Sequence, residues 1–214
     1  MKTECTKTRE RGENETAWQA ICVKDLWEEL RTRLDRRRCA HVQGVAETVK
    51  KLTLLHGGGG ANAKKAEIAA LFHDWFRAAP DEELNRLIAL YELDPVLLNR
   101  PNLSHAKLAA AYMEKERGIT DADLLNAVRY HTTGRAGMSK LEKLLYLADA
   151  IEPAREYPGL GALRALAKTD LDAACMSALE HSIRHVQMKK LPLDEDSRKA
   201  WQWLHDNGPK KEKE

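Results

Sequence analysis

The chain has 214 residues, 43% of them apolar, which is enough for one substantial core, and no composition break marks a second domain. Its 35 basic and 33 acidic residues leave a net charge of +2, excluding a molecule-wide field for nucleic acid or an anionic membrane, so any polyanion must be held locally. No apolar run approaches the roughly 20 residues needed to span a bilayer, the N-terminus has no secretory core, and Cys5, Cys22, Cys39 and Cys175 form no C-x-x-C pair. These features predict a cytoplasmic protein with free thiols and no structural zinc.

The scarcity of Gly- and Pro-rich turn clusters argues against a β sandwich or barrel and predicts an all-α chain. Residues 1–16 and 208–214 carry almost no large apolar side chains, so both are expected as flexible tails flanking a single domain over 17–207. From Ala17 to Leu34, Trp18, Ile21, Cys22, Trp27, Leu30 and Leu34 recur at helical spacing and predict an amphipathic helix against the core. A second helix is expected from Cys39 to His56, with Val42, Val45, Val49 and Leu52 on its buried face. It ends at Gly57–Gly60, a run that no strand precedes and no Gly-Lys-Ser/Thr follows, and so reads as a helix connection rather than a phosphate loop.

A third helix is expected from Asn62 to about Ala78, before Pro80 interrupts the pattern. Further helices are predicted at Asp81–Glu92, Ser104–Arg117, Asp121–Tyr130, Ser139–Ile151, Gly161–Thr169, Asp170–Lys190 and Asp194–Asp206. Thr120 with Asp123, and Ser139 with Glu142, are spaced as capping boxes. The basic cluster Arg31, Arg33, Arg36, Arg37 and Arg38 lies on an amphipathic helix and its end, and reads mostly as a solvated face.

His73-Asp74 alone is a common dipeptide; its surroundings give it meaning. It lies in Ala69-Ala70-Leu71-Phe72-His73-Asp74-Trp75-Phe76, too apolar to leave a carboxylate in free solvent, and a buried carboxylate needs a cation or several donors. Asp149 raises the same demand between Leu144–Ala148 and Ala150-Ile151. His41, His105 and His131 each fall beside helix positions that look buried, and one metal centre accounts for the whole set. Imidazole with carboxylate suits iron, manganese, cobalt, nickel or zinc better than calcium or magnesium, without choosing among them. Neighbours on a helix diverge by about 100°, so His73 and Asp74 must converge on a point between their directions, and Asp74 has two oxygens with which to bridge two ions. His56, His181, His185 and His205 have no such context and read as structural or solvated.

These residues resemble the YqeK family of HD-domain proteins, which are symmetrical diadenosine tetraphosphate hydrolases. The resemblance covers about Leu34 to Leu204 and rests on the runs Arg38 to Thr48, Ala70 to Asp74, Ala127 to Arg135 with its Tyr-His-Thr-Thr-Gly-Arg, and Leu141 to Arg155 with its Ala-Asp-x-Ile-Glu-Pro-x-Arg. It implies an HD helical bundle and two transition-metal ions, iron by family habit: one held by His41, His73, Asp74 and Asp149, the other by Asp74, His105 and His131. It also implies cleavage to two ADP by a metal-activated water, centred on Asp74. A polyanionic substrate further calls for cations near the centre, and Arg135, Arg77 and Arg155, followed by Lys143 and Arg38, are the candidates to hold its phosphates, with Arg135 and Arg77 also acting in catalysis. Partners on this reading are a dinucleoside polyphosphate or other nucleotide, without membrane or a strong nucleic-acid signal; a homodimer stays open. The chain departs from the family in having Arg77 where Lys is usual and Ala106-Lys107 where Gly-Pro is common, and the segment before Leu34 has no assigned role. Competing readings are an HD enzyme for another nucleotide and a nucleotide-binding or RNA-associated regulator without turnover.

Overall fold

The computed structural model describes residues 16–208, so the tails expected at 1–16 and 208–214 lie almost wholly outside the described residues. Within them the chain is all-α, as composition predicted: α1 (Val23–Arg33), α2 (Arg36–Leu55), α3 (Gly60–His73), α4 (Asp81–Leu90), α5 (Pro101–Lys115), α6 (Ala122–Arg129), α7 (Lys140–Ile151), α8 (Leu160–Leu166), α9 (Leu171–Met188) and α10 (Glu195–Asn207). One turn of 3-10 helix, Pro95–Leu97, joins α4 to α5.

The bundle is organised around α3. Its sequence is alanine-rich, and Ala66, Ile68, Ala69, Ala70, Leu71 and Phe72 are all fully buried, so the helix is apolar nearly all round and must be enclosed. Small side chains let its neighbours approach closely, and α3 packs against α1, α2, α5, α6 and α7. Gly57 and Gly58 close the turn from α2 into α3: Gly57 adopts φ +79°, and a Cβ on Gly58 would meet the Thr53 carbonyl oxygen at 2.8 Å. The glycine run is thus a helix connection.

Several helix ends differ from expectation, each for a local reason. The stretch expected as one helix from Ala17 breaks into a turn carrying Trp18 and a shorter α1, with Cys22 in extended backbone at its start. Helix α2 begins earlier, at Arg36, because the Asp35 carboxylate accepts the Arg38 N–H at 2.7 Å. Asp121, not Thr120, caps α6, accepting from Leu124 N at 3.0 Å. Ser139 caps α7 as expected, but only half of the box forms, since the Glu142 carboxylate is engaged by Arg135 instead.

Two ends matter for chemistry. Helix α3 stops at His73 rather than Ala78, with Asp74 as its C-cap, and the chain descends to Pro80 through turns in which Arg77 N bonds Asp74 O and Ala79 N bonds Phe76 O. This frees Asp74 from the helical repeat, so it can face the same space as His73. Helix α5 starts at Pro101, whose fixed φ suits the first helical position, one turn before His105.

Candidate metal centre

Four helices and one helix end bring the six polar residues together: His41 from α2, His73 and Asp74 from the end of α3, His105 from α5, His131 just after α6, and Asp149 from the last turn of α7. His41 Nε2 lies 3.2 Å from Asp149 Oδ1 and 3.6 Å from Asp74 Oδ2. Asp74 Oδ2 is also 3.5 Å from His73 Nε2, while its Oδ1 is 3.4 Å from His105 Nε2, so its two oxygens face different partners. His105 Nε2 in turn lies 3.3 Å from His131 Nε2. Among the described residues, His41, His73 and Asp149 form one set whose donor atoms lie within 4.8 Å of one another, and His73, Asp74 and His131 form a second.

Backbone geometry dictates which ring nitrogen faces inward. Nδ1 of His73 lies 2.6 Å from the Ala70 carbonyl, that of His105 2.8 Å from Pro101 O, and that of His131 2.8 Å from Val128 O. A carbonyl only accepts, so each Nδ1 carries the proton and each Nε2 offers a lone pair. His41 Nδ1 meets the buried Glu152 carboxylate at 3.1 Å, the carboxylate–histidine pairing that orients imidazole toward a cation. Glu152 is itself fixed, with its other oxygen accepting Ala154 N–H at 2.7 Å. All four rings therefore direct Nε2 into one space bounded by two carboxylates. The buried Nε2 of His73 has no hydrogen-bond partner, and those of His105 and His131 face each other lone pair to lone pair. Nitrogen and oxygen donors so arranged fit a transition-metal cation.

Electrostatics point the same way. Burial is the main reason His131 falls to about 3, with His73 and His105 adding to it, and burial likewise holds His73 below its usual value. Both rings are then neutral and able to donate electron pairs at pH 7. Burial alone would raise Asp74, but the facing His73, His105 and His131 outweigh it and keep the carboxyl well below the ordinary range. In Asp149 burial is likewise outweighed, by the His41 hydrogen bond and the nearby His73 and Arg155. For His41 the bonds to Asp149 and Glu152 overcome burial and raise the imidazole.

The cations expected to contact phosphates divide into two groups. Arg38 reaches the centre, with its guanidinium 2.9 Å from Asp74 Oδ2, and Arg155 does so too, bonding Asp149 Oδ1 at 2.5 Å and the Asp149 carbonyl at 3.0 Å. Arg77 bonds Asn102 Oδ1 at 2.9 Å, on the α5 turn that precedes His105. Arg135 and Lys143 are directed elsewhere. Arg135 is tied at 2.6 Å to Glu142, which is buried, and Lys143 pairs with Asp172 of α9. The reason for Lys143 is helical phase: six residues separate it from Asp149, a rotation of about 600° or 240° net, so one α7 helix cannot aim both at the same point.

A cavity of about 390 Å³ opens beside the centre, with His131, Asp149, Arg155, Tyr157, His181 and His185 among its lining residues. Sequence reasoning left both of these α9 histidines aside, because nothing near them in the chain is apolar enough to demand explanation. Glu152 was within reach of that reasoning, since it stands in the same run as Asp149 and Arg155, but its partner His41 lies 111 positions away.

A helical bundle gathering four imidazoles and two carboxylates around one space is the architecture of an HD-type hydrolase, with donors that fit a metal cation. Residues 38–154 match the HD-domain family. The chain belongs to that family, within the group of proteins named symmetrical bis(5'-nucleosyl)-tetraphosphatase. It is 39% identical to the Bacillus subtilis (strain 168) protein of that name over 176 residues, covering 82% of this chain and 93% of the relative. It is 41% identical to the one from Halalkalibacterium halodurans over 170 residues, covering 78% and 89%. In structure it resembles a predicted HD superfamily hydrolase involved in NAD metabolism from Clostridium acetobutylicum, with a TM-score of 0.79 and 32% identity over 87% of this chain and 98% of that one. No helix among the described residues is long and apolar enough to cross a membrane.

Proposed function

We propose that the chain is a metal-dependent hydrolase that cleaves dinucleoside tetraphosphates symmetrically, giving two ADP from diadenosine tetraphosphate. The observation that carries this reading is the inward set of four Nε2 atoms, three of them oriented by backbone carbonyls and the fourth by Glu152. Relatives named for this activity, covered over most of their length, supply the substrate class. Two transition-metal ions, iron by family habit, would be held by His41, His73, Asp74 and Asp149, and by Asp74, His105 and His131. Asp74 suits the shared position because its two oxygens face opposite members of the set. Bound there, the ions would supply Lewis acidity at the phosphoryl oxygens and a water made nucleophilic near neutral pH.

The remaining work falls to side chains of this chain. Arg38 and Arg155 flank the two carboxylates, placing guanidinium donors where phosphate oxygens would approach the centre. Planar bidentate donors at that position offset the charge that develops on a transferred phosphoryl group. Arg77 is available at the rim beside α5, and the phosphate role expected of Arg135 and Lys143 passes to Arg38 and Arg155. Free Cys22, Cys39 and Cys175 suit the cytoplasmic location we assign to the protein.

The test is to incubate protein purified anaerobically, with its metal content assayed, with diadenosine tetraphosphate and to resolve the nucleotides released. ADP as sole product, lost in Asp74→Ala, is the expected outcome. ATP plus AMP, or no turnover by a metal-loaded protein, overturns the assignment.

A further inference from the structure

We infer that the cavity beside the centre is a nucleoside subsite in which Tyr157, His181 and His185 receive the base of one nucleoside diphosphate half of the substrate. The inference rests on the proposed hydrolysis for the identity of the whole ligand, but the subsite itself is argued from the cavity. The lining of the cavity combines ionic groups next to the centre, Asp149 and Arg155, with the aromatic rings of Tyr157 and His181. A nucleotide combines the same two chemistries, a charged phosphate and a flat base. At about 390 Å³ the space sits toward the lower end of small-ligand cavities, which suits one nucleotide half better than an entire dinucleotide.

The aromatic wall is built before any ligand arrives. Tyr157 and His181 stack with centroids 4.4 Å apart and planes 26° from parallel. The Tyr157 hydroxyl donates to the Ala150 carbonyl at 2.9 Å, so the ring cannot swing freely. His181 and His185 stand four residues apart, on one face of α9, and Ala178, three residues before His181, lines the same cavity with a side chain small enough to leave it open. That face of α9 stays open to the cavity, while Ala174, Cys175 and Leu179 are buried and dock the helix onto the bundle. A pre-stacked wall loses little side-chain entropy on binding a base, which is the condition for stacking to count fully in affinity.

The experiment compares ADP with inorganic pyrophosphate, which has the charge but no base, by calorimetry on metal-loaded protein. His185→Ala alters an exposed residue, so folding is not at stake; His181→Ala is paired with His181→Phe, which restores a flat ring. The expected result is ADP binding weakened roughly 5- to 100-fold by either alanine, with pyrophosphate binding as in the unaltered protein and His181→Phe recovering much of the loss. In turnover the same variants should raise KM for diadenosine tetraphosphate far more than they lower kcat. Parallel weakening of ADP and pyrophosphate, or no change in either, overturns the subsite. If the unaltered protein fails to cleave the dinucleotide yet shows the base-dependent discrimination at His185, the proposed hydrolysis falls and the subsite stands.

Discussion

At the scale of single residues, orientation of the centre depends on side chains that never face it. Gly44 on α2 shows how tight this support is. A Cβ there would meet Glu152 Oε2 at 2.8 Å and Pro153 Cδ at 3.4 Å, so the Glu152–Pro153 turn is pressed directly onto the α2 backbone. Gly44→Ala should therefore displace the carboxylate that holds His41 Nδ1, and Glu152→Gln should keep its size while removing its charge. Each is expected to weaken metal affinity about 10- to 100-fold, as read by chelator competition, while helical content by circular dichroism stays intact. Unchanged affinity in both variants would show that His41 needs no such support. Much of the residue pattern was legible in the sequence: polar pairs inside apolar runs, as at His73-Asp74 and Asp149, announce a buried centre because burial of an uncompensated charge is so costly. Glu152 was not legible as the partner of His41, since its meaning comes from a chain segment folded against it, and neither was the pairing of Arg135 with Glu142.

At the scale of elements, each helix was foreseeable from its apolar period, and their ends were less so. The ends depend on which nearby side chain wins the orphan N–H groups: Asp35 extended α2 and Asp121 displaced Thr120, both by presenting a carboxylate at the right step. The unwinding of α3 after His73 follows from tertiary demand, because Arg38 draws Asp74 toward the centre. What could not be read from the period is that α3 is central, since alanine is compatible with either a surface or a core. Ala66 is fully buried in α3, which packs closely against α2 and α6, so Ala66→Leu should overpack the interior. The expected cost is about 1–3 kcal/mol in urea unfolding, against less than about 0.5 kcal/mol for the exposed Ala61→Leu control on the same helix. Equal effects from the two would mean that α3 has slack on its buried side.

For the whole molecule, the centre ties stability to both pH and metal. In the metal-free protein, His73 and His131 have folded-state values below their unfolded ones, so the unfolded chain binds protons more readily. Their contribution is present above about 6.5 and is lost as pH falls, for His131 down to about 3. His41 has the opposite sign: its raised value contributes below about 6.5 and is lost as pH rises. Asp74 and Asp149, both depressed, add a loss only once pH falls below about 4. Two histidines against one leave the metal-free protein losing Tm on acidification from 7 to 5, and melting curves across that range test it. Metal changes this balance, because it binds the neutral imidazoles and ionised carboxylates that folding already assembles. At metal 100-fold above its Kd the folded state gains about 2.7 kcal/mol, equivalent to about 5–10 °C for a domain of this size. That gain should shrink as pH falls, since protons compete for the same Nε2 atoms, and it should be clearly reduced in His73→Ala, which removes a ligand of one of the two proposed ions. A gain that is independent of pH and undiminished in His73→Ala would place the metal elsewhere on the chain, and the inward lone pairs would need another explanation.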